Sequence, residues 1–191
     1  MLYHVSPVQG IKQLQPHSST HGKAWVYAIR DRTTGLLFGV KQDDFDFCIS
    51  VENDVPVLRE CYPGALEACY AGKACSVYEV EEEGFLNGQT DWEPEMVNPS
   101  PVGVAREEYV PDLLTELQRE ERNGHLVIVR YTDTAAYRQM ISAHIVDRLV
   151  RFNCIHTKDE RLVRNYGAIL ALLQKAISGD CLVNEHENHQ L

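Results

Sequence analysis

Ala24-Trp25-Val26-Tyr27-Ala28-Ile29-Arg30 is the stretch from which the fold class is read. In an extended chain successive side chains point to opposite faces, so Trp25, Tyr27 and Ile29 share one side and Val26 and Ala28 the other. Neither side is polar, and the segment reads as a strand that can be covered on both faces. Working outward, Leu2-Tyr3-His4-Val5-Ser6 reads as a short strand stopped by Pro7. Residues 10–16 form a turn of helix or an irregular crossing, and residues 17–23 a polar loop. On the other side, Thr33 or Thr34 caps a short helix through Leu36, Leu37 and Phe38.

The remaining chain adds strands first and helices later. Phe47, Ile49 and Val51 alternate with polar neighbours over residues 45–51, a half-buried strand. Pro56, Pro63, Gly64 and Gly72 break up residues 55–74, which yield no clear element. Residues 75–81 read as a strand, residues 91–101 as a loop with Pro94, Pro99 and Pro101, and residues 102–109 as a strand. Pro111 opens a helix through Leu113, Leu114 and Leu117 that Gly124 ends, and residues 126–131 form a buried strand. Tyr137, Ile141, Ile145 and Leu149 recur at four-residue steps in a helix over 134–152. A capping box from Thr157 to Glu160 opens a second, with Leu162, Tyr166, Ile169, Leu170, Leu173 and Ile177 before Gly179. Strands followed by helices predict an α+β fold. The 191 residues suit a single domain, with a core over 1–131, a helical appendage over 132–183 and a flexible tail over 184–191.

Charge excludes one class of partner. Asp and Glu outnumber Lys and Arg 28 to 18, for a net charge of -10. Such a surface repels phosphate backbones, whose binding depends on clustered cations, so nucleic acid is not an expected partner. Arg119 and Arg122 lie among glutamates, as on a solvated helix face. Met1-Leu2-Tyr3-His4 has neither the basic start nor the apolar run of an export signal, which points to a reducing, cytoplasmic location with Cys48, Cys61, Cys69, Cys75, Cys154 and Cys181 as free thiols. No window reaches the ~20 apolar residues of a membrane span. Zinc spacings, a phosphate-binding loop and a serine-nucleophile elbow are all missing, and His17 and His21 stand in a polar run rather than on a metal-bearing helix, so no metal is expected.

Together, Leu2-Tyr3-His4-Val5-Ser6 with Gly10-Ile11, then Trp25-Val26-Tyr27-Ala28-Ile29-Arg30-Asp31 and an apolar helix at Leu36-Leu37-Phe38, resemble the opening of the ADP-ribosyltransferase superfamily in its His-Tyr-Glu form. The resemblance implies a split β-sheet core and NAD as substrate. His4 would then bind a ribose hydroxyl with Ser6 beside it, the backbone of Val5 would hold the nicotinamide amide, and Tyr27 would stack on the ring. The family's glutamate would come from Arg106-Glu107-Glu108-Tyr109-Val110. Glu107 and Glu108 point to opposite faces of a regular strand, so only one can enter a given cleft, and Glu108 is the preferred candidate. Ile29 and Gly35 depart from the family's string, and the lack of a Glu-x-Glu pair argues against an arginine acceptor. The resemblance implies ADP-ribosyl transfer or NAD hydrolysis, with a protein among the candidate acceptors. The alternative is a non-catalytic module binding a nucleotide or a protein partner.

Overall fold

Strand β1 (Leu2–Ser6) lies between β4 (Ala24–Ile29) and β7 (Cys75–Val80) and runs antiparallel to both in the computed structural model, which describes residues 1–18, 23–90 and 92–178. Beyond β7 lies β11 (Arg106–Val110). Beyond β4 come β9 (Glu95–Asn98) and β8 (Leu86–Asn87), and β3 (His17–Ser18) also pairs with β4. The result is a seven-stranded antiparallel sheet.

Register decides which residues share a face. His4 stands opposite Tyr78 and Tyr78 opposite Glu107, so these three form one cross-strand row. The next row is Val5, Val77 and Glu108, pointing the other way. Tyr3 stands opposite Ile29.

Each face has its own core. Val77 and Val110 pack with Leu36 and Leu37 at the end of α1 (Arg32–Leu36), Leu113 and Leu117 of α3 (Leu113–Arg122), and Leu66 and Tyr70 of α2 (Ala65–Tyr70). Tyr3 and Val5 pack against this cluster. It also holds Phe47 of β5 (Phe47–Glu52), Leu58 of β6 (Val55–Glu60) and Ile128 of β12 (Val127–Val129), which form a three-stranded sheet with β12 parallel to β6. On the opposite face Leu2, Val26, Ala28, Val80 and Met96 pack beneath Leu14 of β2 (Gln13–Leu14) and Val102 of β10 (Val102–Gly103), themselves a two-stranded sheet. Burying a Leu, Val or Phe side chain of this kind contributes about 1.5–3 kcal/mol, so both layers stabilise the central strands.

Several local expectations need correction. The 91–101 segment holds a strand, β9, whose Met96 and Val97 are buried. Residues 55–74 contain β6 and α2. The 102–109 segment splits into β10 and β11, and the strand over 126–131 is only Val127–Val129. Asp31, not Thr33 or Thr34, caps α1, accepting from the Thr34 backbone at 2.6 Å. A carboxylate is at least as good a cap as a hydroxyl, and it leaves both threonines buried inside the turn.

Contacts divide the chain into two units, Met1–Tyr131 and Thr132–Leu191. The second carries α4 (Ala135–Arg151), capped by Thr134, and α5 (Glu160–Ile177). The cap of α5 is Asp159, which accepts from the backbones of Arg161 and Leu162, whereas Thr157 accepts from the backbone of Asp159 itself, two residues too early to cap the helix. The tail over 184–191 lies outside the described residues. No helix among the described residues is long and apolar enough to cross a membrane. The five described cysteines are free, and Cys181 lies outside that set.

Candidate functional site

The ladder between β1 and β4 carries the pair Tyr3 and Ile29; one residue further along β1, the His4 ring reaches across, with Nδ1 2.8 Å from the Tyr27 carbonyl oxygen. A carbonyl can only accept, so Nδ1 carries the proton. Burial lowers the ring's proton affinity, and the nearby His17 lowers it further, against the raising effect of the Tyr27 carbonyl. The ring is therefore neutral, and Nε2 presents a lone pair. Among the described residues Nε2 has no hydrogen-bond partner.

A cavity of about 430 Å³ opens at this point. Tyr3, His4 and Val5 line it from β1, and Tyr27, Ala28 and Ile29 from β4. Tyr3, Val5, Tyr27 and Ile29 share one face of the sheet, to which Glu95 opposite Ile29 also belongs, whereas His4 and Ala28 between them point to the other face. Gly35, Phe38, Gln42 and Glu95 complete the lining.

The flanking segments are held in place by contacts that the local sequence dictates. Capping by Asp31 sets α1 so that Gly35 lies against β1, where a Cβ would come 3.2 Å from Cγ2 of Val5. The Gln42 amide donates to the Leu37 carbonyl at 2.5 Å, and its oxygen lies 2.9 Å from the Tyr70 hydroxyl. Phe38 packs on Trp92, ring centroids 5.3 Å apart. The Glu95 backbone donates to the Trp92 carbonyl at 3.1 Å, which joins the aromatic pair to the head of β9.

His4, Val5 and Tyr27 thus come together at one cavity. Ser6 is buried, accepts from the Val8 backbone at 3.1 Å, and does not line the cavity. Neither candidate glutamate lines it either. Oε1 of Glu107 accepts from the Gly10 backbone at 2.9 Å, the Ser76 hydroxyl at 2.8 Å and the Tyr78 hydroxyl at 3.1 Å. These donors, the Gly10 N–H foremost, hold its carboxyl below the usual range. The Tyr78 hydroxyl also lies 2.7 Å from the Val8 carbonyl, so Glu107 and Tyr78 fasten the turn after β1 to β7.

Glu108 is gripped by Arg32, with Nε at 3.0 Å and Nη2 at 2.6 Å, and this lowers its proton affinity. Arg32 donates to Glu116 as well, at 2.9 Å. Burial alone would weaken the charge on Arg32, but its two carboxylates outweigh that and strengthen it. His17 pairs with Trp25 across β3 and β4; His21 lies outside the described residues.

Tyr3, Ala28, Ile29, Gly35, Phe38, Gln42 and Glu95 line the cavity without having been singled out as site residues in the sequence, and Glu95 was the least legible of them. It sits in a segment where three prolines spell a loop, and Met96-Val97 is too short an apolar run to signal a strand. Comparison of the chain with protein-family models, with curated proteins and with solved structures finds no match.

Proposed function

We propose that the cavity between β1 and β4 binds the nicotinamide-ribose half of NAD, and that the protein transfers ADP-ribose from it to an acceptor or to water. The observation that carries the reading is that His4, Val5 and Tyr27 line one cavity, with the His4 ring carrying its proton on Nδ1 toward the Tyr27 carbonyl. The volume suits a ring and a sugar, within the range of small-molecule sites. Tyr27 supplies an aromatic surface for the ring and Val5 a backbone edge for its amide.

In the reaction the bond from ribose C1′ to the nicotinamide nitrogen breaks and its electron pair leaves with nicotinamide. A lone pair of the acceptor or of water closes on C1′, and that group gives up a proton. The sugar passes through an oxocarbenium-like state that a nearby carboxylate stabilises. Glu108 is the first candidate and Glu107 the second.

A non-catalytic nucleotide-binding module is the second reading. It is favoured by one observation, that Glu107 and Glu108 are both engaged by donors of the protein itself. Nicotinamide release, measured beside NAD binding, separates the two. Catalysis predicts release that falls at least a hundredfold in Glu108→Gln or Glu107→Gln with NAD affinity retained, since only the transition state gains from the charge. Binding without release in the wild-type protein leaves the module.

A further inference from the structure

We propose that Asn87-Gly88 is a site of self-modification, where the Gly88 backbone nitrogen closes on the Asn87 side-chain amide and water opens the ring to aspartate or isoaspartate. The inference is independent of the NAD reading and of the cavity.

The chain holds two Asn-Gly pairs, Asn87-Gly88 and Asn123-Gly124. Glycine matters at the second position because, without a Cβ, its nitrogen can approach the preceding side chain closely. Both glycines adopt left-handed backbone, with φ of 68° and 78°, so the pairs differ not in backbone class but in what holds the nitrogen. The Gly88 N–H donates to Oδ1 of Asn87 at 2.7 Å. That oxygen is bonded to Cγ, the atom to be attacked, and donation to it makes the carbon more electrophilic. The Gly124 N–H donates instead to the Glu121 carbonyl at 3.1 Å, at the end of α3. Asn123 is the C-cap of that helix, its own N–H given to the Arg119 and Glu121 carbonyls. Ring closure there requires the last helical turn to come apart.

The surroundings of Asn87 leave the reaction open to solvent. β8 is a two-residue strand at the end of the sheet, both of its residues are exposed, and Asn87 pairs with Met96 alone. A Cβ added at Gly88 would meet no atom within 4 Å, so water and base reach the nitrogen. Hydroxide takes the Gly88 amide proton, the nitrogen's electron pair forms a bond to Cγ, and Nδ2 leaves as ammonia, protonated by solvent. A five-membered imide remains. Water then adds to one of its two carbonyls and breaks that carbon's bond to the nitrogen. Opening at Cα's carbonyl leaves the chain running through the former side chain, as isoaspartate; opening at Cγ leaves aspartate. Either product carries one new carboxylate, nothing is oxidised or reduced, and the rate rises with pH.

The test is incubation of the full chain at pH 8, in buffer and in urea, followed by digestion and mass spectrometry of the peptides that hold the two Asn-Gly pairs. Exchange of ammonia for water is read at each pair over time. In buffer Asn87 should convert about tenfold or more faster than Asn123, because one nitrogen is already placed against its target and the other is held by a helix. In urea, where neither contact survives, the two rates should converge. Asn87→Gln, whose longer side chain would close a larger ring, should melt like the wild-type protein and show no conversion at that position. Equal rates at both pairs in the folded protein, faster conversion at Asn123, or an Asn87 that stays intact in buffer overturns the proposal.

Discussion

His4 links the site to pH because burial disfavours its charged form. The folded ring binds a proton less readily than the unfolded one, whose ordinary value is 6.5. Below that value the unfolded chain therefore holds more protons, and stability falls as the pH drops. Thermal melts between pH 7.5 and 5 should show a steeper decline in the wild-type protein than in His4→Gln; parallel declines would contradict the assignment. Protonation also removes the Nε2 lone pair, so affinity for a hydroxyl-bearing ligand should weaken over the same window. Glu107 behaves differently, since its donors act on the turn after β1. In Glu107→Ala the Gly10 amide should exchange its hydrogen faster while amides at the centre of β7 keep their protection. Unchanged exchange at Gly10 would show that the contact fastens nothing.

At the scale of elements, capping and close packing set the frame around the cavity. Asp112 caps α3 by accepting from the Thr115 backbone at 2.9 Å, and Asp112→Ala should cost about 1 kcal/mol in a denaturant titration. Gly39 ends the turn after α1 beneath α3, where a Cβ would meet Leu113 Cδ2 at 2.8 Å and Cys75 Sγ at 3.0 Å. Gly39→Ala should cost about 1–3 kcal/mol by overpacking, and a neutral result would mean that this core yields more easily than close packing allows. Periodicity made β1, β4 and α4 legible in the sequence, because each keeps one pattern over a full element. β9 was not legible: its Met96 and Val97 are two residues between prolines, and only the long-range pairing with β4 makes them a strand. The caps were misread for a related reason, since Asp31 and Thr33, or Thr157 and Asp159, lie two residues apart and the local sequence permits either.

For the whole molecule, the apolar character of both sides of β4 foretold a sheet covered on each face, and the two clusters are its two covers. The order of strands, then helices, also reads directly as α+β. What the sequence did not carry is the cavity that β1 and β4 line together. Gly35, Phe38, Gln42 and Glu95 complete it from distant parts of the chain, contacts without a local pattern. Glu107 and Glu108 were found by likeness of string, and the string does not reveal that Gly10, Ser76 and Arg32 already hold them. The central claim, that the cavity lined by β1 and β4 binds NAD, is tested most directly by titrating NAD into the wild-type protein and Tyr27→Ala in a calorimeter. The wild-type protein should bind saturably, and removal of the ring should weaken binding about tenfold or more, since such stacking contributes about 1–3 kcal/mol. No heat of binding at millimolar NAD, or equal affinity in a folded Tyr27→Ala, would contradict it.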